Sequence, residues 1–176
     1  MIDSLAIPGA YRLDGRIARD ERGQFRKILD AVADDIPAEF RELTEVAVSH
    51  NTAAGTVRGL HWQADPFGQT KVVWAASGRL IDVLVDVRPE SPAYGRWVSI
   101  ELDAEESTAV LVPSGVAHGF QTLQDLTSVV YLMRGAYSPE SARTLRFDDP
   151  AVGVDWPLPV SVISQSDRAG AAWPAS

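Results

Sequence analysis

Three histidines, His50, His61 and His118, are the side chains in this sequence best suited to move a proton near neutral pH. His61 lies in the run Val57-Arg58-Gly59-Leu60-His61-Trp62-Gln63, with no second histidine beside it. A divalent metal held by protein alone needs about three or more ligands, and no local spacing brings the three histidines together. We therefore expect no metal site, which leaves His61 free for proton transfer. The alternative is that His61 is a structural residue of the core with a hydrogen-bond partner.

Charge and composition narrow the classes of partner. The chain has 16 Lys and Arg against 24 Asp and Glu, a net charge of −8, which argues against nucleic acid as a partner. A local group of arginines can still hold a small anion. The absence of cysteine excludes disulfides, thiolate nucleophiles and cysteine-based zinc sites. No run of about 18 apolar residues and no signal pattern is present, so we expect a soluble cytoplasmic protein that does not bind membranes.

Period-two hydrophobic runs dominate the middle of the chain and predict β-strands. The predicted strands cover residues 70–75, 79–87, 96–102, 108–112 and 128–133. Helical pattern is scarce: residues 30–42 could hold a turn or two, and Glu105-Glu106 suggests a short turn. Many short strands at close spacing predict one all-β domain over residues 1–176, a sandwich or barrel. The small-residue tail 169–176 is expected to be mobile.

The predicted strand at 79–87 alternates between two faces. Ile81, Val83, Val85 and Val87 share one face, and Asp82, Leu84 and Asp86 share the other.

The segment around His118 has the spacing Pro113-x-Gly115-x-x-His118. It resembles the second motif of cupins, a jelly-roll superfamily in which this histidine points into the barrel. Metal-binding cupins also carry a His-x-His pair and a glutamate in a first motif. This chain reads Leu60-His61-Trp62 in the matching region, so the pair is missing.

An ordered set of short segments resembles the dTDP-4-dehydrorhamnose 3,5-epimerase family over nearly the whole chain. The segments are 8–10, 20–25, 55–63, 69–72, 78–88, 91–92, 95–97, 113–120, 131, 137–139, 148–150, 155–157 and 163–168. The resemblance implies a cupin-type jelly-roll barrel with a few short helices, a homodimer, and no metal or cofactor. It implies a nucleotide-linked 4-keto-6-deoxy sugar as substrate, most simply dTDP-linked, epimerised at C3, C5 or both.

The same resemblance assigns catalytic roles. A C4 ketone acidifies the protons on C3 and C5, so inversion needs a base, an acid on the opposite face and a cation near the ketone oxygen. His61 matches the family's base, and Asp167 the carboxylate that orients it. Tyr131 matches the acid, a role for which a lowered phenol pKa is expected. Lys71 matches the lysine near the ketone.

Further positions match substrate-binding residues of the family. His118 is expected to hydrogen-bond the sugar, while Arg22 and Arg58 contact the diphosphate. Three more residues are expected near the substrate: Phe25, Gln63 and Tyr137. Two segments depart from the family pattern. Lys27 stands where a glutamate is usual, and Val46-Ala47-Val48-Ser49-His50 is apolar at the first two key positions of a Gln-x-Asn-x-Ser pattern that reads the nucleotide.

Each assignment has a structural alternative. Lys71 could be an exposed strand residue, Tyr131 a buried tyrosine with a satisfied hydroxyl, and Asp167 a turn or cap residue. Arg22 could be solvated turn charge, and Tyr137 a structural residue. Three other functions also stay open at this point: a nucleotide-sugar 3,4-ketoisomerase of the same superfamily, a non-catalytic sugar-nucleotide binding module, and a metal-dependent cupin oxygenase.

Overall fold

The computed structural model describes residues 1–42 and 44–174. In chain order the elements are β1 (Ile2–Ser4), β2 (Tyr11–Asp14), β3 (Arg16–Asp20), β4 (Gly23–Lys27), a 3₁₀ turn (Ala38–Phe40), β5 (Glu45–Asn51), β6 (Thr56–Gln63), β7 (Thr70–Ser77), β8 (Arg79–Asp86), β9 (Trp97–Asp103), β10 (Thr108–Val112), β11 (Val116–Thr122), β12 (Thr127–Arg134), β13 (Ala142–Thr144), β14 (Val162–Ile163) and α1 (Gln165–Arg168).

Two antiparallel sheets pack face to face. The first has the strand order β1-β2-β10-β7-β12-β5. The second has the order β13-β6-β11-β8-β9, and β14 joins β6 in parallel. Apart from the pairs β1–β2 and β8–β9, neighbouring strands are distant in sequence, as expected when Greek-key connections wind a chain into a jelly roll. The predicted all-β, cupin-type jelly-roll fold is confirmed.

The main core lies between the inner faces of the two sheets. Leu84 and Phe120 of the second sheet pack there with Val73, Val110 and Val129 of the first, all almost completely buried. Such burial of large aliphatic and aromatic side chains is the main favourable term that holds two sheets together.

Both sheets are also covered on their outer faces. Ile36 and Phe40, from the segment before β5, pack on the first sheet. Leu145, Trp156 and Trp173, from the C-terminal part, pack on the second. The alternation predicted for β8 is confirmed, because Leu84 lies in the inner core whereas Val83 and Val85 lie in the outer cluster.

The five predicted strands are all present, with ends that shift by one or two residues. Residues 30–42 form only the 3₁₀ turn. The hydrophobic pattern of the sequence did not predict α1. The expectation of a mobile tail is wrong for residues 169–174: Ala171 bridges to Leu145, and the Trp173 amide donates to Asp149 Oδ2 (2.8 Å). Residues 175–176 lie outside the described part. Within that part, none of the helices has the length and apolarity needed to cross a membrane.

The β3–β4 hairpin stands apart from both sheets. Within the described residues its strands pair only with each other. Its base is tethered by Arg26, whose Nη1 donates to the Glu106 carbonyl (2.9 Å). Phe25 and Ile17 on the hairpin are exposed. An exposed phenylalanine on a protruding hairpin has an apolar ring with nothing of its own chain to cover it.

Candidate active site

A cavity of about 720 Å³ opens between the two sheets at one end of the sandwich. β6 and β11 of the second sheet form one wall, and β5, β7 and β12 of the first sheet form the opposite wall. Five of the predicted substrate-facing side chains line it together: His61, Lys71, His118, Tyr131 and Arg58. Asp167, from the far end of the sequence, lines it as well. The volume is in the range of small-molecule sites.

His61 and Asp167 form a directed pair. His61 Nε2 lies 2.7 Å from Asp167 Oδ1. Because an ionised carboxylate only accepts hydrogen bonds, Nε2 carries the hydrogen and Nδ1 is left as the basic nitrogen. The His61 side chain is half-exposed to the cavity while Asp167 is buried. This geometry is that of a general base whose ring is oriented by an acid group behind it.

Asp167 is held by its own segment of chain, residues 162–174, which we name the C-terminal strap. Ser164 caps α1, its hydroxyl accepting the Asp167 amide (3.0 Å), and Asp167 Oδ2 accepts the Gly59 amide (3.2 Å). Burial alone would raise the pKa of Asp167, but the hydrogen bond and charge of His61, with the bonds of Gly59 and Ser164, hold that pKa below its ordinary value. Asp167 is therefore ionised at neutral pH.

Tyr131 and Lys71 project from the first sheet and so approach the cavity from the side opposite His61. Burial, helped by the charge of Asp82, raises the pKa of Tyr131, while Arg58 opposes that rise. Tyr131 thus holds its proton, and the expectation of a lowered phenol pKa is wrong. Burial lowers the pKa of Lys71 to about 8, against the opposing charge of Asp82. Lys71 Nζ lies 3.5 Å from the His61 carbonyl, so it is close to the base.

His118 pairs with a second carboxylate. Its Nε2 lies 2.7 Å from Asp82 Oδ1, and both residues are buried. The His118 ring meets Tyr131 edge to face, with centroids 6.1 Å apart. Asp82 Oδ2 is a buried oxygen without a hydrogen-bond partner in the described structure. An unpaired buried carboxylate oxygen projects negative charge into its surroundings, which here contain Lys71 and Tyr131.

Arg58 lies at the mouth of the cavity and is aimed by a buried amide. Its Nε donates to Asn51 Oδ1 (2.8 Å), and Asn51 Nδ2 donates to the Thr127 carbonyl (3.0 Å). The guanidinium is thereby held at the cavity lining, as expected for an arginine that receives an anionic group.

The β5 wall matches the expectation about the nucleotide-reading segment only in part. Ala47 and Ser49 pair with Tyr131 and Val129, so they share the inner face with them. Val46 and Val48 are exposed on the strand. Val48 still lines the cavity beside the apolar Ala47 and the polar Ser49, whereas Val46 does not.

Gln63 and Tyr137 do not line the cavity. Gln63 Nε2 donates to the carbonyls of Phe67 (2.6 Å) and Ala136 (3.1 Å), and its Oε1 accepts the Ser138 amide (2.6 Å). Its amide is occupied with fixing the loop that carries Tyr137. Gln63 thus supports this loop, and Tyr137 is exposed on it.

Arg22 and Phe25 are also absent from this cavity wall. Both lie exposed on the β3–β4 hairpin, and the Arg22 guanidinium pairs with Asp20 at the hairpin turn. His50 is on the outer side of β5, with Nδ1 2.9 Å from Ser128 Oγ. Across residues 1–42 and 44–174, no group of three or more His, Asp or Glu side chains is arranged to hold a metal ion.

Sequence reasoning missed Asp82 and Asn51 as site residues. The signal for Asp82 was available: an acidic residue on an alternating strand that is apolar on both faces must be buried and partnered. Asn51 gave no such signal, because its use depends on the distance between β5 and Arg58, which only the fold sets.

The fold and the site together define a jelly-roll protein in which a carboxylate-oriented histidine and a protonated tyrosine face each other across a cavity. The sequence model of the family described as dTDP-4-dehydrorhamnose 3,5-epimerase matches residues 4–174. A curated relative of that description from Mycobacterium tuberculosis is 39% identical over 170 residues, which cover 96% of this chain and 84% of the relative. The chain therefore belongs to this family and is a carbohydrate epimerase, an isomerase.

Two further relatives frame the family. A protein of the same description from Sinorhizobium fredii is 50% identical over 114 residues, 64% of this chain, and that match spans 58% of its own length. A solved structure of a 3'-monoepimerase from Streptomyces bikiniensis in complex with dTDP-quinovose has a TM-score of 0.85 and 31% identity, and covers 96% of this chain and 85% of that one. The family thus includes enzymes named for epimerisation at two carbons and at one.

Proposed function

We propose that this chain epimerises a dTDP-linked 4-keto-6-deoxy sugar at C3, C5 or both, by proton abstraction through an enolate and without a cofactor. The observation that carries the proposal is the placement of His61 and Tyr131 on opposite sheets around one cavity. Inversion requires that a proton leaves one face of a sugar ring and that another arrives from the opposite face. A base and an acid on facing walls meet that requirement.

The steps follow from the protonation states. His61 Nδ1 takes the proton from the carbon next to the ketone, and Asp167 stabilises the imidazolium that forms. Negative charge moves to the ketone oxygen, where the ammonium of Lys71 stabilises it. Tyr131 then donates its proton to the opposite face of the carbon, which inverts the centre. The raised pKa of Tyr131 keeps that proton in place until the enolate has formed.

Binding of the nucleotide part uses the mouth of the cavity. Arg58, aimed by Asn51, meets the diphosphate, and His118 hydrogen-bonds the sugar. The dTDP assignment rests on the Streptomyces bikiniensis structure, which is a complex with dTDP-quinovose. Ala47 and Ser49 leave the adjoining wall with few polar groups, so base recognition there depends on packing more than on hydrogen bonds.

The protein works as a homodimer in this proposal, and the β3–β4 hairpin serves the cavity of a second copy. Support comes from the hairpin's isolation and from its pair of exposed side chains, Phe25 and Arg22. An aromatic ring stacks on a nucleobase, and a guanidinium binds a phosphate. The exposed Val46 and Val48 on the edge strand β5 supply an apolar surface for the contact between copies.

The reaction is tested with a panel of nucleotide-linked 4-keto-6-deoxy sugars in D₂O, with NMR detection of deuterium at C3 and C5. Exchange at both carbons with inverted product indicates double epimerisation, and exchange with inversion at one indicates a monoepimerase. A carbonyl signal that moves to C3 would instead identify a ketoisomerase. Absence of exchange with every substrate in the panel would refute the proposed reaction.

Sharing of the site between copies is tested by mixing two inactive variants. His61→Ala removes the base from the cavity, and Arg22→Ala with Phe25→Ala removes the hairpin's contribution. If copies re-associate at random, half of the dimers are mixed and each has one complete site, so activity returns to about a quarter of wild type. Mixtures that stay inactive while native mass spectrometry shows mixed dimers would contradict the shared site.

A further inference from the structure

The C-terminal strap carries Asp167 on a helix too short to hold itself in place. α1 spans only Gln165–Arg168. A single helical turn is unstable in water, because its nucleation cost is not repaid by propagation. The position of Asp167 relative to His61 and Gly59 therefore depends on how the strap is anchored on either side of the turn.

The upstream anchor is backbone pairing. Val162 and Ile163 form β14, which pairs in parallel with Thr56 and Val57 of β6. The Ser161 amide also donates to the Gly55 carbonyl (3.0 Å). This side of α1 is thus fixed to the strand that carries His61.

The downstream side is anchored through the backbone of one residue and little side-chain area. The four residues after α1 are Ala169-Gly170-Ala171-Ala172, which bury little apolar area and lose much conformational freedom when ordered. The Ala171 amide donates to the Thr144 carbonyl (2.8 Å) and the Arg146 amide donates to the Ala171 carbonyl (3.0 Å), while a Cβ at position 170 would come within 2.7 Å of Arg146 N. Trp173 is the first large side chain after α1, and so the first whose packing can stabilise this contact.

Trp173 has a shaped seat on the body of the protein. Its ring lies 4.7 Å from that of Tyr94, centroid to centroid, and packs in the outer cluster of the second sheet. A Cβ at Gly95 would come within 3.2 Å of Trp173 Cζ2, so a side chain there would press on the indole ring. The Trp173 amide donates to Oδ2 of the buried Asp149 (2.8 Å), whose Oδ1 accepts the Ala151 amide (2.9 Å).

We propose that Trp173 is a positioning residue for the epimerisation: seated on Tyr94 and Gly95 and bonded to Asp149, it holds the C-terminal strap so that Asp167 stays against His61 and Gly59. The inference rests on the proposed function only for its effect on rate. The effect on geometry stands by itself, because the bond from the Gly59 amide to Asp167 Oδ2 exists without substrate.

The test compares hydrogen exchange and kinetics of Trp173→Ala, Trp173→Phe and wild type. Exchange of the Gly59 amide, measured by NMR relative to core amides of β8, should be about tenfold faster in Trp173→Ala, because the strap opens locally. kcat should fall on the order of tenfold with KM nearly unchanged, since a slightly displaced orienting group costs rate more than binding. Trp173→Phe keeps an aromatic ring on Tyr94 and should restore most of both.

Trp156→Ala is the matched control. Trp156 belongs to the same outer cluster, but its indole Nε1 donates to the Phe147 carbonyl outside the strap. It should lower global stability and leave the ratio of Gly59 to core exchange unchanged. Asp149→Asn weakens the anchor from the other side, since one of its two acceptors is lost, and should give a smaller change in the same direction as Trp173→Ala.

A double variant separates positioning from a general loss of stability. If Trp173 acts through Asp167, adding Trp173→Ala to Asp167→Ala should lower kcat no further than Asp167→Ala alone. A full additional loss would overturn the proposal, and so would wild-type Gly59 exchange in Trp173→Ala. A faster Gly59 exchange in a protein that epimerises no substrate would uphold the positioning role while refuting the proposed reaction.

Discussion

Two histidine–carboxylate pairs lie at the same cavity with the same Nε2 to Oδ1 distance of 2.7 Å. They differ in the exposure of the histidine, in the element that carries the carboxylate and in the hydrogen bonds of that carboxylate. The His61 side chain is 45% exposed, whereas that of His118 is 4% exposed. Asp167 comes from the C-terminal strap, while Asp82 lies on β8, next to the strand of His118. Asp167 uses both oxygens, and Asp82 Oδ2 has no partner in the described structure.

The distance between a histidine and its carboxylate does not by itself identify a base. A histidine must expose its free nitrogen to the substrate and must be able to become charged, which the partly open His61 can do. His118 is enclosed, so its pair with Asp82 contributes mainly to the fold and to the field in the cavity. We therefore expect the open pair to govern rate and the closed pair to govern stability.

The two pairs should differ most in how much kcat falls when the histidine is removed. His61→Ala should lower kcat by about 10³-fold, because the base is removed, whereas His118→Ala should lower it by about tenfold through a lost substrate contact. Initial rates and deuterium uptake at C3 and C5 measure both. Asp155→Asn, at an exposed site outside the cavity lining, is the control and should be fully active. Equal losses in the His61 and His118 variants would abolish the distinction between the pairs.

The opposite order is expected for stability. His118→Ala leaves the buried Asp82 without its partner and should lower the free energy of unfolding by about 3 kcal/mol. His61→Ala removes a half-exposed ring and should cost less than about 1 kcal/mol. Urea unfolding followed by tryptophan fluorescence gives both values. A His118 variant as stable as wild type would mean that Asp82 is accommodated in another way.

Much of this comparison could be predicted from the residues, and the limits are physical. The alternating runs predicted the strands, because a strand between two apolar layers needs a period of two. His61, Lys71, Tyr131 and Asp167 were named from ordered motifs, and the structure brings them to one cavity. The sequence could not show which His–Asp pair is open to the cavity, because that exposure depends on where the two sheets separate in the folded protein.

Other expectations about the site were wrong because they, too, depended on contacts that only the fold sets. Of the two β5 valines expected at the nucleotide-reading positions, Val48 lines the cavity and Val46 does not, while Ala47 and Ser49 between and after them do. Gln63 was assigned to substrate by its match to the family, but its amide bonds the Phe67 and Ala136 carbonyls and the Ser138 amide, contacts that only the folded loop provides. The tail around Trp173 looked mobile from its small residues, and its order depends on a seat formed by distant residues.

A smaller effect is expected on the alkaline limb of the pH–rate profile. The pKa of Lys71 is about 8, lowered by burial and held up by the charge of Asp82. Rate should thus fall as pH rises through about 8, because neutral Lys71 no longer stabilises the enolate. Asp82→Asn removes the charge and keeps an acceptor for His118, so the fall should move to lower pH. Asp155→Asn, an exposed site, should leave the limb in place, and an unmoved limb in Asp82→Asn would show that Asp82 does not act on Lys71.

The His61–Asp167 pair should make a small contribution to stability that is lost in acid. The pKa of Asp167 is lowered in the folded protein, so its contribution to stability is complete above the unfolded value of about 3.9 and is lost as pH falls through the folded pKa. Urea unfolding between pH 7 and pH 3 should therefore show a shallower acid loss for Asp167→Asn than for wild type. The exposed Asp34→Asn is the control and should follow wild type. If Asp167→Asn retained the wild-type acid slope, the His61–Asp167 pair would contribute nothing to folding, and its carboxylate would serve only to orient the base during turnover.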